Sequence, residues 1–143
     1  MGNIMHTDYN KITNKILKFT KEFSKGKPLC VGMSGGIDSS LSAYLAYKAL
    51  GKKKVHAILA PSRYTPDAEV KSAEKYAKKI CGKVTTLKKD NLEKIRDAYD
   101  QALPGKSEVE RIVMDAYIRN NILRRYSRIN GFRLLGTING TEW

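Results

Sequence analysis

Apolar residues along the chain switch between two spacings. Ile12, Ile16, Phe19 and Phe23 recur every three or four positions, so residues 8–24 are expected to form an amphipathic helix. Asp8 suits its first turn, and Ser24-Lys25-Gly26-Lys27-Pro28 ends it with glycine and then proline. Pro28-Leu29-Cys30-Val31-Gly32-Met33 has the short apolar character of a buried strand. Residues 38–50 read as a mostly apolar helix through Leu41, Tyr44, Leu45 and Ala49, closed by Gly51. Val55–Ala60 is a second buried strand, stopped by Pro61-Ser62. Thr65-Pro66-Asp67 predicts a helix start, with a capping hydroxyl, a proline in the first turn and an acid behind it. Val70, Ala73, Ala77 and Ile80 line one face of that helix, and Lys83–Leu87 follows as a short third strand. Leu92, Ile95, Tyr99 and Leu103 give a helix over 91–103, broken by Pro104-Gly105. A long helix then opens at Ser107 and runs to the cap signal Asn130-Gly131. Glu108 and Glu110 lie early in it and Arg124, Arg125 and Arg128 late, which matches the helix dipole. Val109, Ile112, Val113, Ala116, Asn120 and Leu123 are expected as its buried stripe. Phe132–Leu135 is a fourth strand, delivering Gly136–Trp143.

Strands alternating with helices imply parallel βαβ units and a doubly wound α/β sheet. Ligands in such sheets bind beyond the carboxyl ends of the strands. Two segments, 34–40 and 136–142, fall just after a strand, and they meet if the first and fourth strands are neighbours.

At 143 residues, with no repeat or low-complexity linker, the chain is expected to be a single domain with a real core. No stretch approaches the roughly 20 apolar residues of a membrane span, and no signal-type segment opens the chain, so the cytoplasm is the default location. Cys30 and Cys81 stand far apart without clustered histidines, which argues for two small buried residues against a zinc site or a disulfide. His56, alone in a strand, reads as structural. The formal charge of +13 is the unusual bulk property. Its lysines are spread over the solvent faces of every expected helix, so diffuse surface charge is favoured over a nucleic-acid interface.

The candidate chemistry is concentrated in Ser34-Gly35-Gly36-Ile37-Asp38-Ser39-Ser40, between the first strand and the second helix. Glycines allow a tight turn and close approach of backbone to ligand, and the helix start offers free amides and the positive dipole end. The serines add hydroxyl donors, and Asp38 adds a hard oxygen ligand of the type that suits Mg²⁺. No lysine follows the glycines as a Walker A loop requires.

The stretch resembles the S-G-G-x-D-S pyrophosphate-binding loop of the ATP pyrophosphatases, which cleave ATP between the α- and β-phosphates. Within that superfamily, Gly136-Thr137-x-Asn139-x-Thr141-Glu142 is similar to the G-T-x-N-x-[ST]-E signature of the NAD synthetases. Ala116-Tyr117-Ile118-Arg119 lies where those enzymes carry A-R-x-R. Ala60-Pro61-Ser62-Arg63-Tyr64-Thr65 resembles their M-P-S-x-x-[ST]. The loop alone also fits a tRNA-modifying ATP pyrophosphatase, or a homologue that binds ATP without turnover.

The resemblance implies a Rossmann-like, adenine nucleotide alpha-hydrolase-like fold. One ATP-pyrophosphatase-type domain would span 1–143, an N-terminal helix at 8–24 preceding a nucleotide-binding core at 28–143. It also implies a ligase that amidates deamido-NAD with ammonia through an adenylated intermediate, releasing pyrophosphate and AMP. ATP would be held by Gly32, Met33, Ser34, Gly35, Gly36, Ile37, Asp38, Ser39, Ser40 and Thr137, and Mg²⁺ by Asp38 and Glu142. Tyr117 and Arg119 fall at acceptor-binding positions, with Tyr117 standing where the family has arginine, and Glu69 and Ser72 where it often has aspartates. No side chain is singled out as a covalent or acid–base catalyst. Family members are typically homodimers. Only 33 residues precede Ser34, too few for a glutaminase domain, so ammonia is expected from solvent or another protein. The family continues beyond the position of Trp143, so the fold is expected to be incomplete at its C-terminus.

Overall fold

The computed structural model describes residues 8–137. The elements run α1 (Tyr9–Ser24), β1 (Leu29–Gly32), α2 (Ile37–Leu50), β2 (Val55–Leu59), α3 (Asp67–Ile80), β3 (Lys83–Thr86), α4 (Asp90–Ala102), α5 (Glu108–Asn130) and β4 (Arg133–Leu135), with a 3-10 turn at Lys52–Lys54. The four strands form one parallel sheet in the order β3-β2-β1-β4. This is the doubly wound α/β fold expected from the alternation. The order reverses between β1 and β4, whose register pairs Leu29 with Arg133 and Val31 with Leu135.

Side chains alternate across the sheet, and each face meets different helices. Leu29, Val31, Val55, Ala57 and Leu59 pack against Ala43 and Ala46 of α2 and Ala73 and Ala77 of α3. Small alanines let both helices lie close to the strands. On the opposite face Gly32 lies under α5, so close that an added Cβ would sit 2.7 Å from Leu123 Cδ1. Cys30 and Cys81 are both buried free thiols; burial raises the first and pushes the second to about 11. The His56 ring packs tilted against Phe132, centroids 4.4 Å apart, and its pKa is lowered by burial and by the Lys83 charge.

Local capping follows the sequence at most ends. Asp8 accepts from Lys11 N at 3.0 Å, Ser107 accepts from Glu110 N at 3.3 Å, and Gly131 closes α5 at φ +67°. The start of α3 is a correction. Pro66 occupies the cap position, and the Thr65 hydroxyl turns back to accept from Ser62 N at 3.1 Å. A proline N-cap has no side-chain oxygen, and the threonine folds the preceding loop instead.

The second correction concerns α5. Val109, Ile112 and Val113, expected in its buried stripe, are 69%, 65% and 46% exposed, and Ala116 and Asn120 are exposed as well. The helix buries Ile118 and Ser127 instead. The apolar side of α1 is likewise open at Ile12, Ile16 and Phe19. Helical periodicity identifies an apolar face; it does not supply the surface that covers it. No helix among the described residues is long and apolar enough to cross a membrane.

Candidate functional site

The loop after β1 is built by its own hydroxyls. Ser39, in the first turn of α2 and 5% exposed, accepts from Ser34 N at 3.3 Å and donates to Gly36 O at 3.1 Å. Its hydroxyl also meets Ser34 Oγ at 3.2 Å, and Ser34 Oγ accepts from Gly36 N at 3.2 Å. Gly35 sits at φ +89°, which an L side chain resists, with Ala73 Cβ 3.5 Å from where its own Cβ would stand. Gly36 offers α2 no side-chain cap, so the first amides of that helix are turned toward the loop. Ser34, Gly35, Gly36, Ile37 and Asp38 are exposed, while Ser40 is half-buried, its N–H on Gly36 O at 3.2 Å.

Beside this loop lies a cavity of about 710 Å³ at the carboxyl ends of β1, β2 and β4, a size common for small-ligand sites. Gly32, Met33, Ser34 and Ser39 line it, and Thr137 joins them because β4 neighbours β1. The expected meeting of the two post-strand segments is therefore met as far as Thr137. Glu142, with Asn139 and Thr141, lies outside the described residues. Arg119 and Arg124 of α5 reach the cavity, and no acidic residue is among its described lining. Two arginines lining the same cavity as Ser34 and Ser39 suit an anion. Arg119 lines the cavity, whereas Tyr117 is 62% exposed elsewhere on α5. Residues two apart on a helix do not share a face, so the expected acceptor pair is split.

A further wall is the connection from β2 to α3, through Ala60, Pro61 and Thr65. Distant residues hold it. Arg119 Nε donates to Ala60 O at 3.1 Å, and Lys89 Nζ donates to Thr65 O at 2.5 Å while pairing with Asp67 at 2.7 Å. Glu93 of α4, 5% exposed, accepts from Arg63 N at 3.0 Å and pairs with Arg63 Nε at 3.5 Å. Burial drives the Glu93 pKa up, but the amides of Arg63 and Glu93 and the Arg63 and Arg96 charges outweigh it, leaving a net lowering. One turn along α4, Arg96 Nη1 reaches both oxygens of Asp115 on α5 at 3.0 Å.

A metal carried by nucleotide phosphates needs only one or two protein carboxylates. Asp38, in the first turn of α2 beside the loop, offers one. No cluster of three His, Cys, Asp or Glu occurs among the described residues, so Mg²⁺ bound mainly through phosphate oxygens fits the donors present better than an all-protein cage.

Residues 8–143 match the family model for NAD synthase. The chain belongs to the NAD synthase family. It is 30% identical over 141 residues to the NH(3)-dependent NAD(+) synthetase of Pyrobaculum aerophilum, covering 94% of this chain and 52% of that one. The enzyme of the same name from Pyrococcus furiosus is 32% identical over 137 residues, covering 95% and 51%. The solved NH3-dependent NAD synthetase of Campylobacter jejuni, in complex with nitrate, superposes with a TM-score of 0.83 at 30% identity, over 94% of this chain and 58% of that one. NMN synthetase from Francisella tularensis shares the fold at a TM-score of 0.80 and 20% identity, over 94% and 56%. The chain spans about half the length of the curated relatives it matches.

Sequence reasoning missed Asn120 and Arg124 as cavity residues, joined by a 3.1 Å bond from Arg124 Nε to Asn120 Oδ1. It also missed Glu93, Arg96 and Lys89. Their signal was faint: two charged residues on a short helix and one just before it, with partners 19 to 30 positions away.

Proposed function

We propose that this chain carries the ATP-binding half of an ammonia-dependent NAD synthetase, a ligase acting on deamido-NAD. The observation that carries this reading is the self-bonded Ser34–Ser40 loop sharing with Thr137 a cavity lined by two arginines. In this reading the domain is a single ATP-pyrophosphatase-type unit, and Gly32 to Ser40 with Thr137 hold ATP, the β- and γ-phosphates lying on the loop amides and serine hydroxyls. The acceptor carboxylate attacks the α-phosphorus, the bond to the β-phosphate oxygen breaks, and pyrophosphate leaves. Ammonia then attacks the acyl adenylate carbonyl, AMP departs, and an amide remains. The loop amides and Arg119 stabilise charge as it moves onto the leaving group, so catalysis is electrostatic and positional, with no covalent protein intermediate. Bound Mg²⁺, held by Asp38 with Glu142, would neutralise charge on the phosphates. Tyr117 lacks a guanidinium, so in this reading Arg119 takes the larger share of any acceptor contact.

The exposed stripe Val109, Ile112 and Val113 supports a homodimer packed through α5. Buried reduced thiols at Cys30 and Cys81 suit a cytoplasmic enzyme.

The test is incubation of the full chain with ATP, Mg²⁺, deamido-NAD and ammonium, assayed for NAD and pyrophosphate. NAD formation is the expected result. ATP binding with no pyrophosphate release would leave a nucleotide-binding homologue without turnover, and no ATP binding would refute the reading.

A further inference from the structure

Six residues on three elements close a ring beside the cavity. Starting at the end of β2, Ala60 O accepts from Arg119 of α5 at 3.1 Å. One turn back along α5, Asp115 takes both contacts from Arg96 of α4 at 3.0 Å. One turn back along α4, Glu93 accepts from Arg63 N at 3.0 Å, and Arg63 lies three residues beyond Ala60. The ring joins the β2–α3 loop, α4 and α5, and two of these, the loop and α5, are walls of the cavity. Glu93 and Arg96 are 5% and 8% exposed and reach no described part of the cavity lining. A carboxylate and a guanidinium are costly to bury; the ring gives Arg96 both oxygens of Asp115 and gives one Glu93 oxygen its partners, while the other Glu93 oxygen is buried without a hydrogen bond.

The backbone of residues 61–65 has few supports of its own. Ser62 N and Oγ engage Thr65 Oγ1, which shapes the turn but ties it to nothing else. Two residues fix the turn to the body of the protein: the Glu93 carboxylate at Arg63 N, and Lys89 Nζ at Thr65 O.

We propose that Glu93 is a positioning residue for nucleotide binding: through Arg63 N it sets the β2–α3 loop at the distance from α5 that the part of the nucleotide beyond its phosphates requires. This rests on the ATP reading above. Glu93 touches no ligand itself. Pro61 and Thr65, which flank the turn that Glu93 holds at Arg63, line the same cavity as Ser34 and Ser39, with Lys89 holding Thr65 O as a second anchor. Phosphate binding at the Ser34–Ser40 loop depends on contacts internal to that loop, so the two parts of the ligand are held by separable devices.

The test compares ATP with inorganic tripolyphosphate, each with Mg²⁺, on the full chain and on its Glu93→Gln and Glu93→Ala variants, with amide hydrogen exchange at residues 61–65 measured in parallel. Glutamine keeps an oxygen acceptor for Arg63 N while losing the charge and replacing the buried second oxygen, which has no hydrogen-bond partner, with an amide group; alanine removes the acceptor. The expected order of ATP affinity is unmodified, then Glu93→Gln, then Glu93→Ala, with a loss of roughly tenfold or more at alanine. Tripolyphosphate affinity should stay within about twofold across the set, as for a distant independent site. Exchange at Arg63 N should speed up in alanine and be largely rescued in glutamine. Unchanged ATP affinity in both variants, or equal losses for ATP and tripolyphosphate, would overturn the proposal. Should Glu93→Ala fail to fold, the glutamine variant decides: ATP weakened with tripolyphosphate retained supports the role, and both retained or both lost refutes it. If the unmodified chain binds no ATP, the nucleotide reading itself falls. The exchange data then judge the loop alone, and protection at Arg63 N indifferent to residue 93 removes the positioning role as well.

Discussion

The two loops that line the cavity after β1 and β2 are held in opposite ways. The Ser34–Ser40 turn is bonded within seven residues, by Ser34, Gly36 and Ser39. The β2–α3 turn is tied to residues 24, 30 and 59 positions away, at Lys89, Glu93 and Arg119. A locally bonded loop can take its shape as soon as β1 and α2 form. A loop braced from afar takes its shape only when α4 and α5 have docked, because its partners pay their ordering entropy through the whole sheet. Damage to one should therefore leave the other standing.

Arg96→Ala is the largest blow available to the braced side. It strands Asp115, whose side chain is only 13% exposed, and removing one partner of such a buried pair costs about 3–5 kcal/mol. Urea denaturation should report that loss, and amide exchange should show residues 60–66 opening while the Ser34–Ser40 turn keeps its native pattern. On the local side, Gly35→Ala forces a side chain into φ +89°, at about 1–3 kcal/mol. Here the expected outcome is reversed: loss of ATP binding with the β2–α3 loop unaltered by exchange. Ser39→Ala removes one buried hydroxyl bridging Ser34 N and Gly36 O, for about 1 kcal/mol and a weaker phosphate site. Joint opening of both loops in any of these variants would show that they are one unit.

The smallest effect is a pH dependence carried by Glu93. Its pKa is lowered in the fold, so its contribution to stability is complete above the ordinary glutamate range, near about 4.3, and is lost as pH falls through the lowered folded value. Urea midpoints measured down this acid limb should fall less steeply in Glu93→Gln than in the unmodified chain. Parallel slopes would mean that the carboxylate gains nothing from its partners.

The same contrast explains what could be read from the sequence. All four strands, five helices and the Ser34–Ser40 turn were legible, because periodicity, glycine placement and capping act over a few residues. The neighbouring of β1 and β4 was the condition on which the two post-strand segments meet, and it holds. Glu93 and Arg96 were not legible as buried, since charge suggests solvent and only their partners at Arg63 and Asp115 reverse that. The α5 stripe failed for the complementary reason: Val109, Ile112 and Val113 have the spacing of a core face, yet the described residues leave them largely uncovered.

The central claim is that ATP seats its phosphates on the Ser34–Ser40 loop at the point where the strand order reverses. Titrating the full chain with ATP and Mg²⁺ while following backbone amide resonances tests it most directly. Saturable shifts should be largest at residues 34–40, with smaller ones at Thr137 and along 60–65. Saturable shifts confined to the lysine-rich surface of α1, or no saturable shift at all, would contradict it.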